Sequence, residues 1–73
     1  MIQDNILAQV ISNEFSISLF TRDDRHHSYF VSVTDNEKSK TVEWRYNEKR
    51  DAQSIFDFLS STSKYTLLTL VYV

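Results

Sequence analysis

Three stretches of this chain alternate in side-chain type with a period of two, and that alternation constrains the fold more than any other feature. Phe15, Ile17 and Leu19 alternate with Ser16, Ser18 and Phe20. Tyr29, Val31 and Val33 alternate with Phe30, Ser32 and Thr34. Val42, Trp44 and Tyr46 alternate with Thr41, Glu43, Arg45 and Asn47. β-Branched and aromatic residues at this spacing favour half-buried strands, because successive side chains point to opposite faces. Polar segments separate the three stretches, so they read as an antiparallel meander.

The pattern also predicts a register, since a slip by one residue turns every inward side chain outward. Leu19 opposite Val31 sets Ile17 opposite Val33, and Phe20 opposite Phe30 on the reverse side. Val31 opposite Trp44 sets Val33 opposite Val42, and Tyr29 opposite Tyr46. One face is then apolar throughout, with Trp44, Tyr29 and Tyr46 in the core. The other carries Ser16, Ser18, Ser32, Thr34, Thr41, Glu43 and Arg45.

Turns are where composition enters. The 73 residues include no glycine, no proline and no cysteine. The connections 22–28 and 35–40 must therefore place any left-handed residue on Asp or Asn, which tolerate it best after glycine. Asp24, Asn36 and Asn47 are the expected holders. The same blanks exclude a disulfide scaffold, a thiolate zinc site and every glycine-dependent phosphate cradle.

The flanks read as helix and strand. Ile6, Leu7, Val10 and Ile11 fall at helical spacing within residues 4–13, with Asp4 or Asn5 as cap, although an opening strand is the rival reading. Ala52, Ile55, Phe56 and Leu59 form a compact stripe on a second helix opened by Asp51 and stopped by Ser60-Ser61-Thr62-Ser63. Tyr65 to Val73 is apolar on both strand faces and reads as a last, interior strand reached by a crossover. The expectation is a single α+β domain over residues 1–73, ordered α-β-β-β-α-β. It has a three-stranded meander, a C-terminal strand, and helices packed on one sheet face.

Net charge is −2, with 41% hydrophobic and 25% charged residues, the profile of a folded chain without strong attraction to anionic surfaces. The first twenty residues carry only Asp4 and Glu14, whereas Arg22 to Asp51 holds most of the charge of both signs. Met1-Ile2-Gln3-Asp4-Asn5 lacks a basic leader, and Leu67 to Val73 is far short of a membrane span. A cytoplasmic address without membrane contact is the default.

Few constellations suggest chemistry. Asp23-Asp24-Arg25-His26-His27 combines carboxylates and imidazoles, but adjacent residues diverge in an extended chain and no third histidine exists, so a solvated hairpin loop is the plainer reading. The serines lack a Gly-x-Ser-x-Gly elbow. No catalytic residue, metal or cofactor is expected, and the chain reads as a non-enzyme. Lys38, Lys40, Arg45, Lys49 and Arg50 are candidate nucleic-acid contacts, with Glu37, Glu43, Glu48 and Asp51 interleaved among them. The α-β-β-β-α order resembles the double-stranded-RNA-binding domain in topology. That family's Gly- and Lys-rich entry to its second helix is replaced by Asn47-Glu48-Lys49-Arg50-Asp51-Ala52.

Phe20 and Phe30 lie on the polar face beside Arg22, Asp23, Asp24 and Arg25. They read as a partner-binding patch, because contact hot spots favour aromatics and arginine, or as a pair covered by the first helix, the last strand or a second copy. Phe58 is a weaker candidate. A stand-alone chain of this size resembles the small single-domain proteins of phages and mobile elements, anti-CRISPR inhibitors among them. The leading expectation is thus a protein-binding inhibitor or modulator of a larger host complex. The alternatives are a nucleic-acid-binding regulator and a self-associating subunit, a homodimer paired through Tyr65–Val73.

Overall fold

A computed structural model describes residues 4–22 and 28–72. Among these the elements are β1 (Asp4–Ile11), β2 (Phe15–Arg22), β3 (Tyr29–Asp35), β4 (Lys40–Tyr46), α1 (Lys49–Ser61) and α2 (Lys64–Tyr72). The strands form one antiparallel sheet in the order β1-β2-β3-β4. Both helices pack on one of its faces, α1 across β2, β3 and β4, and α2 on β3 and β4. The chain is a small α+β fold.

The meander has the register that the alternation dictates. Leu19 pairs with Val31, Ile17 with Val33 and Phe20 with Phe30. Val31 pairs with Trp44, Val33 with Val42 and Tyr29 with Tyr46. Leu19, Val31 and Val33 are fully buried, and with Phe15 and Ile17 they meet Ala52, Phe56 and Leu59 of α1 and Leu67 and Val71 of α2. Val42, Trp44, Tyr29 and Tyr46 pack half-buried around this cluster. Apolar burial at about 25 cal/mol per Å² makes this face the main source of stability.

Both ends of the chain differ from the expected order. Residues 4–11 are a strand, not a helix. The pairing with β2 shifts between Ile6 and Ala8, so Leu7 is an extra residue in a β-bulge. Ile6 consequently joins Phe20 on the outer face, while Ala8 and Val10 join Leu19 and Ile17 on the inner one. The bulge breaks the period of two and leaves apolar residues at spacings that imitate a helix. A tight turn commits the segment to the hairpin. Ser12 N–H donates to the Phe15 carbonyl at 2.8 Å, and Phe15 N–H donates back to Ser12 Oγ at 3.1 Å.

Tyr65 to Tyr72 is helical, not a strand. Ser63 caps it, its Oγ accepting from Thr66 N–H at 3.4 Å and its carbonyl from Leu67 N–H at 3.2 Å. Leu67 and Val71, one turn apart, then bury together on the core. The order is β-β-β-β-α-α, so the topological likeness to the double-stranded-RNA-binding domain does not hold. Nor is Tyr65–Tyr72 an edge through which two copies could pair as strands; Val73 lies outside the described residues.

Among the described residues only Ser39 has a positive φ, at 55°. The expectation for Asn36 and Asn47 is corrected, and Asp24 lies outside the described residues. Asn36 instead joins two turns: its N–H donates to the Glu14 carbonyl at 2.9 Å and its Nδ2 to the Ser12 carbonyl at 2.9 Å, while Oδ1 accepts from Ser16 Oγ at 3.0 Å. The helix expected from Asp51 begins earlier, at Lys49, with Glu48 extended at its cap position.

Candidate functional site

Phe20 and Phe30 stack across the outer face, their centroids 5.4 Å apart and their planes inclined by 15°. They are not an exposed patch: Phe20 is 6% and Phe30 7% exposed. Arg22 lies over both rings, its guanidinium carbon 4.5 Å from the Phe30 centroid and 5.4 Å from that of Phe20. Arg22 also reaches Glu43 of β4 at 3.0 Å. A guanidinium over an aromatic face and a carboxylate beside it keep this cluster closed. Asp23, Asp24 and Arg25, with His26 and His27, lie outside the described residues.

The basic residues do not form one stripe. Lys38 and Lys40 sit at the β3–β4 turn, with their ammonium groups 5.5 and 4.8 Å from the Tyr72 ring. Arg45, Lys49 and Arg50 belong to the opposite end of β4 and the start of α1. Lys40 and Arg45 are on the order of 16 Å apart at a strand rise of about 3.3 Å per residue. Arg45 Nε donates to the buried Ser28 Oγ at 2.7 Å, and Arg50 lies 3.5 Å from Glu48.

At the other end of α2, the Tyr72 hydroxyl donates to the Asp35 carboxylate, which also accepts from Glu37 N–H at 3.0 Å. This bond, foremost among the causes, lowers the Asp35 carboxyl from its ordinary value and pushes the Tyr72 hydroxyl up to about 12. The pair is a clasp between helix and sheet.

Among the described residues, four of the exposed large apolar or aromatic side chains lie on β1, and the others are Phe58 of α1 and Tyr65 and Tyr72 of α2. Ile6 is 58%, Leu7 47%, Val10 41% and Ile11 68% exposed. The two sheet edges contrast in chemistry. β4 reads Lys-Thr-Val-Glu-Trp-Arg-Tyr, with charges spread along it. β1 carries no charge from Asn5 to Ile11, and its outer edge, which pairs with no strand among the described residues, has none of the lysines or prolines that normally block strand addition. The signal was legible in the near absence of charge over the first twenty residues, but a helical reading hid its meaning.

Beside β1, a groove of about 420 Å³ runs between the β1–β2 turn and the link joining the helices. Val10, Phe15, Ile17, Leu59 and Leu67 form its apolar lining. Lys64 and Glu14 pair at its mouth, 3.3 Å apart. A second, smaller hollow of about 180 Å³ lies by β4, where Trp44, Tyr46, Phe58 and Leu70 meet; Phe58 itself is largely exposed. No helix among the described residues is long and apolar enough to cross a membrane.

Comparison with protein-family models, with curated proteins and with solved structures finds no match to this chain.

Proposed function

We propose that the chain is a non-enzymatic protein-interaction module and that β1 is its docking element. The observation that carries this is the coincidence of an open strand edge with exposed Ile6, Leu7, Val10 and Ile11 on an uncharged segment. Main-chain hydrogen bonds along such an edge supply affinity, and alternate side chains supply specificity. An extended strand laid on β1 places its inward side chains over Ala8 and Val10, toward the apolar groove. This retains the expectation of a small inhibitor or modulator of a larger complex, of the phage or mobile-element kind. It moves the contact from Phe20 and Phe30 to the sheet edge.

The test is a photo-crosslinking residue placed at Leu7 and, as control, at Phe58. A partner joined through position 7 is then purified and the complex reconstituted. Val10→Lys abolishes that complex while circular dichroism and the thermal midpoint stay close to those of the parent protein. A complex indifferent to Val10→Lys overturns the reading. The nucleic-acid alternative predicts salt-dependent duplex binding lost on Lys49→Ala with Arg50→Ala; a gel shift at low salt decides it separately.

A further inference from the structure

We infer that β1 pairs with β1 of a second copy, antiparallel about a two-fold axis at Gln9, to give one continuous eight-stranded sheet. This rests on the docking reading above: the second copy holds the same edge of β1 in the protein by itself, and a partner strand binds there in its place. The argument is self-complementarity, since in a two-fold antiparallel pair each residue must face one that lies on the same side of the sheet. An axis at Gln9 places Ala8 opposite Val10 of the second copy, and both are inner-face residues. It also places Leu7 opposite Ile11. An axis at Ala8 would instead set Ile6 against Val10, which the bulge puts on opposite faces. An axis at Val10 would set Gln9 against Ile11 and Ala8 against Ser12, which wastes the apolar surface. The Gln9 register matches Ala8 to Val10 and Leu7 to Ile11 on each side of a central Gln9 pair, and the match ends at the bulge, where Ile6 falls opposite Ser12.

Charge permits this arrangement. No charged residue lies between Asn5 and Asn13, so nothing repels along the seam. Glu14, which falls opposite Asp4 just past the pairing, already has Lys64 at 3.3 Å. The exposed apolar residues of β1 are divided between the two faces, Val10 on the inner and Ile6 and Ile11 on the outer, so each face brings only a narrow apolar strip and the dimer is reversible and concentration-dependent.

Sedimentation velocity of the full chain across a wide concentration range should show a monomer–dimer equilibrium. Gln9 is exposed, so Gln9→Lys sets two ammonium groups face to face without disturbing the core, and dimerisation weakens by about 100-fold. Mixing Gln9→Lys with Gln9→Glu restores a dimer composed of one of each. Because the chain has no other cysteine, Gln9→Cys oxidises to a covalent dimer across the axis, whereas Ile6→Cys does not. A strict monomer at all concentrations overturns the inference, as does a dimer that Gln9→Lys leaves intact. The docking reading fails on a different result, survival of the reconstituted partner complex in Val10→Lys, so the two failures are distinguishable.

Discussion

Ser39 and the Asp35–Tyr72 pair show how single residues carry the geometry of this fold. In a chain without glycine, the β3–β4 turn still needs one left-handed residue, and Ser39 takes it at a steric cost of about 1 kcal/mol. Ser39→Gly relieves that cost but frees the unfolded chain, so a net gain of about 0.5 kcal/mol is expected in urea unfolding. The preference of Asn for such positions pointed to Asn36, but the long-range bonds of Asn36 to Ser12, Glu14 and Ser16 hold it elsewhere. No local propensity contains that information. The clasp of Asp35 and Tyr72 gives stability a signed dependence on pH. Asp35 is lowered from 3.8, so its contribution is full above that value and fades as pH falls through the lowered one. Tyr72 is raised from 10.0 to about 12, so its contribution is full below pH 10 and fades between about 10 and 12. Tyr72→Phe is expected to flatten the urea midpoint in both the acid and the alkaline range.

At the scale of elements, legibility followed the clarity of the period. β2, β3 and β4 alternate without interruption, and every predicted pair among them is present. The stripe of α1 was equally plain, and Ala52, Phe56 and Leu59 are buried as it required. Phe56→Ala should cost about 3–5 kcal/mol, a large share of the 5–15 kcal/mol typical of a domain, whereas exposed Phe58→Ala should stay within about 0.5 kcal/mol. Chemical denaturation of the two variants gives the contrast. β1 and α2 were misread for one shared reason. Short apolar runs fit either period, and the choice passes to neighbours. The bulge at Leu7 removes the strand period from β1, and the α2 segment reads equally as a strand because Leu67, Leu68, Leu70 and Val71 also fill both faces of one. The cap at Ser63 was the overlooked cue. Ser63→Ala is expected to lower stability by about 1 kcal/mol, measured as a lower thermal midpoint with α1 intact.

At the scale of the whole molecule, the sheet is open, its helices centre on β2 to β4, and β1 projects as an apolar rim. Introducing Lys at Leu7 or Ile11 is expected to raise solubility and suppress association, because a charge on a strand edge opposes pairing; light scattering at high concentration checks it. The candidate site was only half legible. The stacked pair of Phe20 and Phe30 was predicted residue for residue, yet Arg22 over the rings makes it a closed cluster. The sequence by itself determined the meander, its register and the inward face of α1, because side-chain alternation is a local property that survives without knowing the neighbours. Only the tertiary structure decided that residues 4–11 join the sheet, that 64–72 wind into a helix, and which edge stays open. Those choices depend on what surface the rest of the chain leaves uncovered, and among the described residues no strand pairs with the outer edge of β1.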